Sequence, residues 1–383
     1  MNERRSLLKN DGLQTFACSI ICIILGLLIG YLALLVINAE GAGKAILDVV
    51  KNFFKYPTAP ARLKYFGNTL AKTAPLIMCS LSILFAYKVG LFNIGAAGQY
   101  CLGVAAALYC ALVVGLPWYV CLIAGILLSA ISGGICGLLR SFCNVNVVIS
   151  GIMLNWISLY ATNWMLKGAM DPSGKDTFRL VKKAKSALLP TLGLDKLFNN
   201  NQYVTLAIPV AIIIAIIVWI VLDKTKFGYE LKATGNNLNA AKYCGMKENR
   251  NIILTMVIAG ALAGMGGALY YLSDFEQWNV NTSSVPAMGF NGIAAAFLGG
   301  LNPIGCIFSS YFITHITVGG GNVDLSHYCA QIADFISAVI IYLCGFVLFF
   351  KLFVNSRIDR AEEKKAEKKK ALAAKENKEG GNE

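Results

Sequence analysis

Residues Phe16–Ile37 read FACSIICIILGLLIGYLALLVI, an apolar run with no Asp, Glu, Lys or Arg. A helix needs roughly 20 such residues to cross a hydrocarbon core about 30 Å thick. The run exceeds the apolar core of a cleaved leader, which is about 7–15 residues, although Arg4, Arg5 and Lys9 precede it. It reads as an uncleaved first span. Comparable runs recur along the chain, and the pattern predicts spans near 16–37, 66–87, 93–114, 118–139, 145–166, 203–222, 251–272, 287–301, 303–318 and 331–351. Asn302-Pro303 divides the short eighth and ninth, which read as tilted or half-crossing helices. The expected fold is all-α, a polytopic integral membrane protein with about ten transmembrane helices.

Composition agrees. The 383 residues are 56% hydrophobic and 14% charged, against roughly 25% charged in soluble domains. Thirty-seven glycines, many inside apolar runs, suit helices that pack closely in lipid, and Gly26-xxx-Gly30, Gly133-xxx-Gly137 and Gly260-xxx-Gly264 read as intramolecular helix-packing motifs. The net charge of +13 sits between and after the apolar runs, where it flanks a bilayer, so nucleic acid is not an expected partner. Most of the twelve cysteines lie in apolar runs, with no CxxC pair and no histidine spaced beside them. They read as small packing residues, and no metal site is expected.

Lys/Arg asymmetry orients the chain. A basic N-terminus, 1–15, falls in the cytoplasm, and ten crossings return the charged tail 352–383 there. A coupling loop, 223–250, carries Lys224, Lys226, Lys232, Lys242, Lys247 and Arg250 and also falls inside. The outer loop 167–202 is basic as well, but long loops are translocated regardless of charge. The transmembrane domain spans 16–351. Gly90-Leu91-Phe92-Asn93-Ile94-Gly95-Ala96-Ala97 echoes Gly289-Phe290-Asn291-Gly292-Ile293-Ala294-Ala295. The two enter the membrane from opposite sides, the pattern of an inverted repeat.

No energy source is written into the chain. Gly43-Lys44 is the nearest approach to a phosphate-binding loop, but Ala45 follows and Asn38 replaces the first glycine. No HExxH, GxSxG or paired intramembrane acids suggest catalysis, so no catalytic residue is expected. Ion coupling needs ionisable groups inside the membrane. Lys72, Lys88, Asp274, Glu276 and Asp334 all read as interfacial. An ion-coupled secondary transporter is therefore the weaker alternative.

Within the loop, Asn237 can cap a short helix over 237–244 that Gly245 stops. Its small face, Ala240 and Ala241, would fit a partner's groove. Here Asn239-Ala240-Ala241-x-x-x-Gly245 resembles the E-A-A-x-x-x-G motif of ATP-binding cassette importer permeases, with Asn239 at the acid. Three further stretches are similar to the nucleoside-type branch of the sugar, nucleoside and branched-chain amino acid permeases. They are Phe92-Asn93-Ile94-Gly95 through Gly98-Gln99, Ile152-Met153-Leu154-Asn155-Trp156, and Gly289-Phe290-Asn291 through Asn302-Pro303-Ile304-Gly305. The resemblance covers about residues 65–350. Ala97 and Asn291 depart from it by replacing acids, which points to a different solute or to an unlike partner permease.

The resemblance implies a permease subunit of an ATP-driven importer, with ATP hydrolysed by a separate ATPase docked at Asn239, Ala240, Ala241 and Gly245. It implies a second permease subunit, expected to be unlike this one, and an extracellular substrate-binding lipoprotein. The site would be the plasma membrane. The solute is a nucleoside, with a simple sugar such as ribose the alternative. Asn93, Gln99, Asn155, Trp156 and Asn291 are the expected solute contacts. Their amides donate and accept as base edges and ribose hydroxyls require, and the indole offers a stacking face.

Overall fold

The computed structural model describes residues 11–323 and scattered positions between 328 and 360. The expected last span, 331–351, and the tail 352–383 lie largely outside the described residues, as do residues 1–10. Among those described, the chain is all-helical, with two isolated β-bridges. The main helices are α1 (Asp11–Ile37), α2 (Ala39–Lys51), α3 (Ala59–Tyr87), α4 (Ala96–Tyr109), α5 (Trp118–Cys143), α6 (Val147–Leu166), α7 (Ala207–Lys224), α8 (Lys226–Asn236), α9 (Leu238–Tyr243), α10 (Glu248–Leu272), α11 (Ala287–Leu298) and α12 (Pro303–Gly320). A π-turn, Cys110–Val114, extends α4.

Among the described residues, six stretches are long and apolar enough to cross a membrane: Ile20–Ile37 of α1, α3, α4 with its π-turn, α5, α7 and α10. Helices α6 and α12, with 20 and 18 residues, have the length but are diluted by Asn155, Thr162 and Asn163 and by Ser309, Ser310 and His315. Helix α11 has only 12 residues, about 18 Å at 1.5 Å per residue, well short of a bilayer core. The expected eighth span is thus a short helix. It turns into α12 through Gly300 (φ 65°) and Leu301 (φ 54°), and Asn302 caps α12 by accepting from the Ile304 and Gly305 amides.

Helix α10 is the hub, packed on α5, α3 and α4. The expected small-residue motifs of α5 and α10 meet each other. A Cβ on Gly133 would strike the Met256 carbonyl, one on Gly137 would lie 2.9 Å from the Ile253 Cα, and one on Gly260 would lie 3.1 Å from the Gly133 Cα. Gly264 lies against Ser129, and Gly103 of α4 lies against Gly264. With no side chains between them the backbones touch, which is how helices gain dispersion contact in a solvent as apolar as their own surfaces. Gly30 of α1 packs intramolecularly too, on Ile336. A second cluster, with Cys18, Cys22, Leu34, Val49, Leu298 and Ile316, joins α1, α2, α11 and α12.

The bundle has two ends. At one, Gly235 at the end of α8 touches Lys88 and Val89 beyond α3, and Ser141 of α5 donates to the Asn249 carbonyl at the start of α10. At the other, Asn201 donates to Lys64 at the start of α3, and the segment after α10 pairs with 170–177. There the Trp278 indole donates to Asn163 at 2.9 Å.

Candidate functional site

Helix α3 stops at Tyr87, and the chain runs without regular structure to Gly95 before α4 begins. Gly90 makes the bend at φ 71°, where a side chain would be strained. Three of the expected contact residues meet at this break. The Asn93 Nδ2 donates to the Gln99 Oε1 at 2.9 Å and to the Ser82 Oγ at 3.1 Å, and the Gln99 Nε2 donates back to the Asn93 Oδ1 at 3.4 Å. Asn155 of α6 accepts from the Gly98 amide at 2.7 Å and donates to the Ile94 carbonyl at 3.0 Å. Ser129 of α5 donates to the Gln99 carbonyl at 2.7 Å. Asn93, Gln99 and Asn155 are all buried. The break would otherwise leave backbone groups unpaired in an apolar interior, where each is costly; Asn155 stands in for the missing helical bond between the Gly98 amide and the Ile94 carbonyl.

Glycine allows this approach. A Cβ on Gly98 would lie 2.7 Å from the Asn155 Cα, and one on Gly151 would lie 2.9 Å from the Gly95 nitrogen. Ala97, where the resemblance leads one to expect glutamate, is fully buried, and a Cβ on Gly289 would come within 2.7 Å of its own Cβ. The same contact brings together the two segments that echo each other in sequence.

The other two expected residues lie elsewhere. Trp156 projects from the outer face of α6, 45% exposed, and stacks on Tyr160 at 6.3 Å. Asn291 of α11 is half-buried, two residues beyond the Gly289 contact, and makes no hydrogen bond among the described residues.

The loop helix forms as its sequence predicts. Asn237 caps α9 by accepting from the Ala240 amide at 3.0 Å. The Gly245 amide closes on the Lys242 carbonyl and that of Met246 on the Ala241 carbonyl, with Gly245 at φ 78°. That is the glycine-ended cap of an α-helix. Ala241 is buried, whereas Asn239, Ala240 and Gly245 are exposed. Tyr243 of α9, 93% exposed, and Tyr229 of α8 are exposed as well. Sequence reading passed over both, although an aromatic ring in a polar loop is a recognisable docking signal. It also gave no contact for Gly235. A Cβ there would lie 2.6 Å from the Lys88 carbonyl and 2.9 Å from the Val89 Cα, so the loop rests directly on the start of the break. Burial, with Lys232 alongside as the lesser cause, lowers the pKa of Lys88 at this contact below the ordinary lysine value. Asn251 of α10 holds α8 in place by donating to Thr234 at 3.0 Å.

Known proteins share this chain's sequence over most of its length. The guanosine ABC transporter permease protein NupP of Bacillus subtilis is 32% identical, covering 84% of this chain and 90% of the relative. The nucleoside ABC transporter permease protein NupB of Lactococcus lactis is 32% identical, covering 79% and 86%. The glucose ABC transporter permease protein TsgB13 of Haloferax volcanii is 28% identical, covering 77% and 80%. No solved structure matches the chain. The family model described as branched-chain amino acid transport system, permease component, matches residues 65–345. That match takes in the break, the loop helix and the α11–α12 turn, and the chain belongs to this family of membrane permease components.

Proposed function

We propose that the chain is the transmembrane permease subunit of an ATP-driven importer that carries a nucleoside into the cytoplasm. The observation that carries the reading is the seating of α8 on the helix break through Gly235, with the capped, partly exposed helix α9 following directly after it. A permease without an ATPase needs a surface for one and a path from that surface to the solute. The loop and break offer both, and relatives named for guanosine and nucleosides supply the solute class. The glucose permease relative favours a simple sugar as the second reading.

In this reading the ten-span arrangement holds over 16–351, in the plasma membrane, with 1–15 and the tail 352–383 cytoplasmic. Loop 223–250 faces the same side, where the partner ATPase binds ATP and contacts Asn239, Ala240, Ala241 and Gly245. Tyr243 adds an aromatic anchor. The permease itself holds no cofactor. The short helices α4 and α11, meeting at Ala97 and Gly289, are the counterparts of an inverted repeat. An unlike second permease packs against this one, and an extracellular lipoprotein delivers solute. Asn291 keeps a free amide for the solute. Asn93, Gln99 and Asn155 spend theirs on one another in this conformation and reach solute by exchanging those bonds. Trp156 faces lipid or the second permease.

Uptake of radiolabelled uridine, adenosine and ribose, in cells with and without the gene, tests the reading. ATP depletion and a protonophore are applied separately. Gene-dependent nucleoside uptake that needs ATP and survives the protonophore is expected. Uptake that collapses with the proton gradient while ATP is held constant points instead to ion coupling.

A further inference from the structure

One cation stands inside an apolar helix without a counter-ion. Lys72 lies 13 residues beyond the start of the 29-residue α3, between buried Ala71 and Thr73. It lies level with the segment that follows α10, where Phe275 sits. Its side chain is half-buried and makes no ion pair or hydrogen bond among the described residues. The ammonium sits 5.3 Å from the centre of the Phe275 ring. A single cation–π contact returns little at an open site, so the ammonium keeps its three donors for water or a ligand.

Phe275 belongs to a group at the far end of α10 from the α8–α9 loop. Tyr203 approaches it at 4.9 Å, and Tyr270 stacks on it at 5.6 Å. The Tyr270 hydroxyl donates to the Glu276 carboxylate at 2.9 Å. Tyr270 is buried, but Tyr203 and Phe275 are only half-buried and Glu276 is exposed. A free cation, two partly open aromatic rings and an exposed carboxylate thus adjoin one another.

Resting on the importer reading, we infer that Lys72, Tyr203, Phe275 and Glu276 form an entry site for the nucleoside, ahead of the buried break. The aromatic faces stack the base, as rings do for any base. The ammonium brings donors to base carbonyl oxygens, and the carboxylate accepts from ribose hydroxyls. No chemistry occurs there; the site holds solute before it passes inward.

The test is uridine uptake at graded concentrations in cells carrying the whole transporter, with Lys72→Met and Glu276→Gln compared with wild type. Each variant is expected to raise the apparent KM about tenfold, as loss of one charge-assisted contact would. Maximal rate and membrane abundance are expected to stay within about twofold, and Lys72→Arg to keep the wild-type KM. Unchanged KM in both variants would overturn the entry site, as would a fall in abundance alone, which marks a packing role. Absence of nucleoside uptake in wild-type cells would overturn the importer reading and the entry site together.

Discussion

Asn93 and Gln99 exchange hydrogen bonds between their side-chain amides, each nearly inaccessible to solvent. Truncating Asn93 to alanine leaves the Gln99 amide buried with its pairing lost, at a cost of about 1–3 kcal/mol. Asn93→Ala is therefore expected to lower the thermal midpoint of the detergent-purified protein as well as uptake. A variant that keeps the midpoint and loses only uptake would assign the amide to solute contact instead.

Gly245 tests the loop helix without disturbing the bundle. A Cβ there meets nothing within 4 Å, yet φ is 78°, a conformation costing other residues about 1–2 kcal/mol. Gly245→Glu should fray α9 alone, and Ala241→Phe should push it off its seat. Both proteins are expected to insert at normal abundance and to lose ATP-driven uptake. Retained uptake in both would remove α9 from the coupling surface.

The α5–α10 seam makes a sharper demand. Gly264→Leu forces a side chain into Ser129, whereas Gly134→Ala meets only the Val257 side chain at 3.2 Å. The first should abolish recovery of folded protein, since overpacking costs several kcal/mol where backbones already touch. The second should leave yield within about twofold, because a side chain can yield. Size-exclusion profiles from detergent extracts separate the outcomes.

Asp274, just beyond α10, is buried with its Oδ1 accepting from the Leu180 amide at 2.9 Å and its Oδ2 unpaired. Burial raises its pKa above the ordinary 3.8, with the Leu180 and Val181 amides opposing. A carboxyl raised on folding lends stability below its unfolded pKa and loses it as pH rises through the folded value. Asp274→Asn keeps the acceptor and drops the charge. Its melting temperature should exceed wild type at pH 7 and converge with it near pH 4. A deficit at pH 7 would mean that the charge itself is required.

Much of this was legible in the sequence, for reasons the structure makes plain. Long apolar runs such as Phe16–Ile37 need no partner to declare themselves. Asn237 and Gly245 bracket α9 through contacts within a few residues, so its boundaries could be read locally. Gly133 and Gly260 marked close packing, although not which helix each would meet. The break was harder. Asn93 and Gln99 looked like solute ligands because their chemistry fits one, but Asn155, 57 residues beyond Gly98, holds the same segment. Only the fold shows where those amides are spent. The contact of Gly235 could not be read locally, since it is made with the Lys88 carbonyl, far away in the chain.

The glycine seam also constrains how such a machine can work. Contacts made by backbone atoms have no rotamers to exchange, so α4, α5 and α10 offer no intermediate arrangements and travel as one piece. Shape change falls to interruptions of the helical ladder, among them residues 88–95 and 299–302. Each has a left-handed glycine, Gly90 and Gly300. The permease thus resembles a solid block with joints at its edges, and a stroke delivered at Gly235 arrives at the one formed by residues 88–95.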